Sequence, residues 1–455
     1  MREEFRVLST TAILGYGFPL ASFEAGLARN PHLIAVDGGS TDPGPYYLGI
    51  GKSFTDRGAV KRDLEIMIRA GVERKIPVVV GTAGGSGADA HLNWCREIVE
   101  EIARENQLPL KLALIYSQLD KSFLQAALDQ GKITPLAPAP PLTQADLAAT
   151  TNVVAQMGVE PLIEALDQNP DVILAGRAYD PTCFAALPIK MGYDPALSMH
   201  LGKILECAAI AATPGSGSDC MFGYIGEDYF RVEPLNPIRK CTTLSVAAHT
   251  LYEKTNPYIL PGPGGHLDLT ACAFIQETES ITRVTGTAFV PSDPYTVKLE
   301  GAKQVGYRTV SIAGIRDPIM IAQIDTILGG IRERVADNFK DSALDYHLHF
   351  HIYGRDGVMG NLEPRPSTAS SHELGVIIEA TASTQKQADT ICSFARSTML
   401  HYGYEGRRAT AGNLAFPYSP SDLQVGEVYE FSVYHLLEVD DPVKLFPIEY
   451  VEVQP

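Results

Sequence analysis

No two cysteines in this 455-residue chain have CxxC spacing, and no apolar run is long enough to span a bilayer. The seven thiols, at positions 95, 183, 207, 220, 241, 272 and 392, are odd in number and scattered. That excludes a disulfide framework and a cysteine-rich zinc site, and reduced thiols in the cytoplasm are expected. Basic clusters are missing too. With 37 Lys and Arg against 54 Asp and Glu the net charge is −17, which disfavours nucleic-acid binding. The opening residues, MREEFRVLST, are too polar for a signal peptide, and no membrane association is expected. No repeat of fixed period is visible. What remains is an ordinary globular composition, 45% hydrophobic and 20% charged, long enough for several domains.

The first half alternates two kinds of pattern. Apolar runs at about Phe5–Gly15, Leu33–Asp37, Ile76–Gly81, Leu110–Tyr116 and Asp171–Gly176 read as buried strands. Between them lie amphipathic stretches, Pro19–Arg29, Arg57–Lys75, Ala88–Glu105, Ser122–Asp129 and Asn152–Asp167, which read as helices. Strand then helix, repeated, requires crossover connections, so an α/β fold with a doubly wound, mostly parallel sheet is expected over residues 1–220. Residues 221–303 read as a mixed connecting region. Residues 304–455 carry the order βαββαβ, the plan of a ferredoxin-like (split βαβ) α+β domain, with Arg355–Ser371 as its long connection.

Each parallel strand is followed by a polar loop, and ligands in open α/β sheets bind beyond the carboxyl ends of the strands. In DGGSTDPG, Asp37 is an acid/base candidate, and Ser40 and Asp42 are candidate substrate contacts; with Asp56 the carboxylates could instead hold a hard cation. In GTAGGSGAD, Gly84, Gly85, Ser86 and Gly87 lead from a strand into a helix, so their N–H groups could hold a phosphate or carboxylate. The alternative is a tight turn with Ser86 or Asp89 capping the helix. In GRAYDP, Arg177 offers a fork for an anion, or pairs with Asp180. None of these loops is a Walker A sequence, and the dinucleotide fingerprint is poor.

Further along, His200, Lys203 and Cys207 share one face of a helix, with Glu206 at its margin. His200 and Lys203 are therefore candidates for proton transfer. Ser216, Ser218, Asp219 and Cys220 lie in a turn without a GxSxG elbow. Strict alternation in YHLHFHIY puts His347, His349 and His351 on one face of a strand, an arrangement better suited to a polar sheet face or subunit interface than to a closed metal site.

Several long segments together carry a family likeness: GYGFPLASFEAGL, AVDGGSTDPGPYYLG, GTAGGSGADAHLNW, AGRAYDP, MHLGKILECAAIA, PGSGSDCM and ATAGNLAFPYSPSD. Through them the chain resembles the AtuA-like family, named for acyclic terpene utilisation. The resemblance implies catabolism of carboxylic acids handled as coenzyme A thioesters, without naming a reaction, a cofactor or a catalytic residue. Longer relatives carry a further C-terminal segment, so a small partner protein replacing it is one expected partner, beside a carboxylate or acyl-CoA substrate. The combined expectation is a homo-oligomeric lyase of the hydratase or dehydratase type. A metal-dependent hydrolase and a non-catalytic subunit of a two-component enzyme are the alternatives.

Overall fold

Five short runs of β-branched and leucine residues form parallel strands: Phe5–Ser9, Leu33–Asp37, Val78–Gly81, Leu110–Ile115 and Val172–Ala175. A computed structural model places them, and describes residues 3–252, 254–342, 344–364 and 371–454. The Leu33–Asp37, Val78–Gly81 and Val172–Ala175 strands are buried throughout, as parallel strands covered on both faces must be. Alternation divides their side chains between two cores. Val7, Ala35, Val79, Ala113 and Ile173 face one core, while Leu8, Val36, Val80, Leu114 and Leu174 face the other.

Helices cover each face. Helix Arg57–Arg74 starts where the Asp56 carboxylate accepts the Ala59 N–H, and buries Leu64, Met67 and Ile68 completely. Each of those three side chains contributes about 1.5–3 kcal/mol by leaving water. Helix Asp89–Asn106 packs on the same side through Leu92, Ile98 and Ile102. Helices Thr182–Lys190 and Pro195–Leu205 cover the other side through Phe184, Leu201 and Ile204.

The sheet is wider and more mixed than the sequence alone suggests. Antiparallel strands Met221–Ile225, Tyr229–Pro234, Thr282–Thr285 and Ala273–Gln276 extend it beyond Phe5–Ser9. At the other edge Ile448–Val453 pairs antiparallel with Leu110–Ile115. The result is a ten-stranded α/β sheet with a parallel centre. The expected helix Asn152–Asp167 is divided: Asn152–Ala155 is a strand and only Glu160–Leu166 is helical. Val153 and Val154 suit a strand, and Asn152–Ala155 finds an antiparallel partner in Leu299–Ala302, a pairing too distant in sequence to foresee.

The chain forms two compact units. One comprises Met1–Lys303 with Phe431–Pro455, and the other Gln304–Glu430. In the second, strands Tyr346–Tyr353, Leu374–Ala382 and the later part of Thr296–Ile315 lie side by side and antiparallel. Helices Ile324–Phe339 and Gln385–His401 share one core with them through Ile327, Ile331, Ile391, Phe350 and Ile378. Of the expected connection Arg355–Ser371, residues 365–370 lie outside the described residues. Among the described residues no helix is long and apolar enough to cross a membrane.

Candidate active site

Parallel strands end on the same edge of a sheet, so Asp37, Gly81, Ile115 and Ala175 bring their following loops together. Hydrogen bonds tie the loops to one another. The Gly38 N–H donates to the Gly81 carbonyl at 2.6 Å. The Ser117 hydroxyl accepts the Arg177 N–H at 2.6 Å and donates to the Gly87 carbonyl at 2.8 Å. Ser117 thereby ties together the loops after three strands.

Within this edge runs a chain of buried charges. The Lys298 ammonium lies 2.7 Å from Glu300 Oε1, and the Thr41 hydroxyl donates to the same oxygen at 2.8 Å. Arg177 Nε donates to Glu300 Oε2 at 2.6 Å, while its Nη1 donates to Asp180 Oδ1 at 2.9 Å and to the Ala178 carbonyl at 2.7 Å. Asp180 in turn faces Glu206, whose Oε1 accepts from Lys203 Nζ at 2.5 Å. Asp37 acts electrostatically on the same group through Asp180, Glu206 and Arg177, and its Oδ1 has no hydrogen-bond partner among the described residues. Arg177, Lys203 and Glu300 are almost wholly buried. Asp180, with 26% of its side chain exposed, and half-buried Cys207 open towards solvent.

Charges this deep stay ionised only when neighbours compensate. Burial works against Glu300, but Arg177 and Lys298 outweigh it and bring its carboxyl down to about 2. Burial likewise opposes the Arg177 charge, and Glu300 and Asp180 hold it above its ordinary value. The other carboxyls move the opposite way. Burial, then Asp180, then Glu206 push Asp37 well above the carboxylate range. Burial, offset in part by Lys203 and reinforced by Asp180, raises Glu206 to about 8. Four carboxyls (Asp37, Asp180, Glu206, Glu300) face three cations (Arg177, Lys203, Lys298), so one retained proton makes the group neutral. That proton belongs to the cluster, since interacting acids titrate as a set. Cys183 lies against this group and is held as a thiol, by burial first and then by Asp37.

The residues singled out from sequence therefore divide. Asp37, Arg177, Asp180 and Lys203 come together. His200 does not: it is fully buried on the same helix as Lys203, with Nδ1 2.7 Å from the Thr287 hydroxyl and Nε2 3.2 Å from that of Thr250. Burial lowers it to about 3, which leaves the ring neutral. Ser40 and Asp42 form an outward turn in which the Ser40 hydroxyl accepts the Asp42 N–H at 3.1 Å. Asp56 is occupied as a helix cap, and among the described residues no group of three or more His, Cys, Asp or Glu is arranged to hold a metal ion.

The glycines of GTAGGSGAD serve close packing. A Cβ on Gly84 would meet His91, one on Gly85 would meet Phe54, and one on Gly87 would lie 2.1 Å from the Arg177 nitrogen. Residues 81–88 are all buried, so this loop is folded inward rather than open as a cradle. The helix after it has Ala88 at its cap without a side-chain bond, so neither capping candidate acts as one. The Ser86 hydroxyl has no hydrogen-bond partner among the described residues. In the turn that follows residue 212, Asp219 is spent on Arg239 and Asn236. In the second unit His351 Nε2 lies 2.9 Å from Glu379, and the His349 ring sits against that of His351.

Sequence reasoning noted Glu206 only in passing and missed Glu300, Lys298 and Cys183. The run TVKLEGA carries one signal: alternation puts Glu300 on the same strand face as Lys298, its ion-pair partner, although it gives no sign of how deeply the fold buries that carboxylate.

Comparison with known proteins adds the family. The model described as "Acyclic terpene utilisation family protein AtuA" matches residues 56–219 and 239–421, and the chain belongs to that family. Membership supports a catabolic role in acyclic terpene utilisation. No curated protein and no solved structure matches the chain.

Proposed function

We propose that this member of the acyclic terpene utilisation family is a lyase of the hydratase or dehydratase type, acting on a small carboxylate or acyl-CoA at the Asp37–Asp180–Glu206 group. The observation that carries the reading is the cluster itself: three carboxyls that act on one another, Asp180 and Glu206 through a hydrogen bond and Asp37 through its charge, and that outnumber Arg177 and Lys203 beside them by one. Such a group can hold an ionised acid beside a protonated one near neutral pH, and dehydration needs that pair. An ionised carboxylate takes the proton α to the substrate carbonyl. The protonated carboxyl gives its proton to the leaving hydroxyl as the C–O bond breaks, and water departs with the cluster's proton count restored.

Glu206, near 8, suits the acid, and Asp180, the member open to solvent, suits the base. Asp37 shares the cluster's proton with Glu206 through its charge. Arg177 acts as a positioning residue, because its Nε and Nη1 are engaged by Glu300 and Asp180 and it serves the substrate only through Asp180. Lys203 holds Glu206. His200 and the Gly84–Gly87 loop have no chemical step in this reading.

The test is isotope exchange. The purified chain is incubated in D₂O with a panel of branched acyl-CoA thioesters and their free acids, and α-deuterium and hydration products are followed by mass spectrometry. Exchange and hydration are expected with the wild type and about a hundredfold less with Asp180→Asn and Glu206→Gln, the usual worth of a general base or acid. Exchange that both variants support at the wild-type rate, or none across the panel, overturns the assignment.

A further inference from the structure

The opposite edge of the same sheet carries a concentration of positive charge unusual for a chain of net charge −17. A cavity of about 590 Å³ opens there, lined by Arg6, His32, Arg74 and Lys75 with apolar Ile76 and Leu187. Arg6 lies near the start of strand Phe5–Ser9, His32 immediately precedes Leu33–Asp37, and Lys75 follows helix Arg57–Arg74. Part of this charge has a local explanation. Arg6 Nε donates to the Asn30 carbonyl at 2.7 Å, and Arg74 Nη1 reaches the Leu27 carbonyl at a long 3.5 Å, so both answer carbonyls at the end of helix Leu20–Leu27 and just beyond it.

Two features lie beyond that explanation. Lys75 has no ion pair among the described residues. The His32 ring faces two donors from one residue: its Nδ1 accepts the Arg6 backbone N–H at 3.0 Å, and its Nε2 stands 3.1 Å from Arg6 Nη2. Burial, then Arg6, lower His32, so the ring is neutral and has one bare nitrogen and one N–H. With Nδ1 accepting, Nε2–H meets Nη2–H, a contact of hydrogen against hydrogen that an acceptor placed beside both would resolve.

We propose that this cavity is a binding site for a dianionic phosphate group, free or as the monoester of a small apolar molecule. Arg6, Arg74 and Lys75 against Glu3, which pairs with Arg6, leave a net charge of plus two, matching a dianion. An oxygen of the phosphate accepts from Arg6 Nη2 and His32 Nε2 together, and Lys75 and Arg74 close over the others. Ile76 and Leu187 give an ester group an apolar wall.

The experiment is calorimetric titration of the full chain with inorganic phosphate, sulfate, acetate and propyl phosphate at constant ionic strength. The same titrations are run on Arg74→Glu/Lys75→Glu, whose side chains are exposed and leave the core intact. Saturable binding of phosphate and sulfate is expected, with acetate weaker and the variant weaker by at least about tenfold, the equivalent of one charged contact. Tighter binding of propyl phosphate than of phosphate assigns the site to a monoester, and equal binding assigns it to free phosphate. Absence of saturable phosphate binding, or equal binding by the variant, overturns the proposal.

Discussion

Replacing Glu206 by glutamine tests the shared proton without adding or removing volume. In the native chain Glu206 is raised from 4.5 to about 8, chiefly by burial, whereas in the unfolded chain it returns to the ordinary range. Between those values the native state holds a proton that the unfolded state has released. Stability therefore falls as pH rises through this window, by about 1.4 kcal/mol per pH unit for one proton. Across the whole shift the loss is on the order of 5 kcal/mol, reached near pH 8 and constant above it. Glutamine resembles the protonated acid and does not titrate. It also leaves three carboxyls facing three cations, so the variant's cluster is neutral without a shared proton. Urea denaturation from pH 4 to 9 should show Glu206→Gln gaining on the wild type from about pH 5 upward, from an offset at pH 4 set by what glutamine does to the Lys203 contact. Every other ionisable group contributes to both curves, so the difference isolates the cluster. Parallel curves across the range, or a wild type that gains on the variant as pH rises, would refute the shared-proton argument.

Two further substitutions probe the frame around it. Glu300→Gln strands half of the buried Arg177 guanidinium and leaves the partly exposed Lys298 unpaired, and should cost about 3–5 kcal/mol in denaturation; Glu300→Gln/Arg177→Met should recover part of that loss, and additive losses would show the pair to be uncoupled. Gly87→Ala sets a Cβ 2.1 Å from the Arg177 nitrogen at a φ of +72°, so a loss of about 3 kcal/mol or more is expected as a lowered Tm, and an unchanged Tm would show that the loop does not pack as described.

Much of the framework was legible because it is local. Apolar runs such as LIAVD and the spacing of Leu64, Met67 and Ile68 declare strand or helix over a few residues, and their alternation declares a parallel sheet. Strand Leu33–Asp37 and strand Tyr346–Tyr353 lie at the expected bounds. Features decided by distant partners were not legible. Asn152–Ala155 becomes a strand because Leu299–Ala302 pairs with it, and Ile448–Val453 completes a sheet begun at residue 5.

The same division holds for the site. Strand–helix order alone dictates where the strands end, and so puts Asp37 at a strand end and Arg177 and Asp180 in a loop at one edge of a sheet. Their chemistry comes from the folded chain. It spends Arg177 on Glu300, which lies 123 residues away, folds the glycine loop inward, and withdraws His200 into a pair of threonines. The protonation of a carboxyl depends on burial and on charges within a few ångströms, and those neighbours are assembled by the fold, not by proximity along the chain.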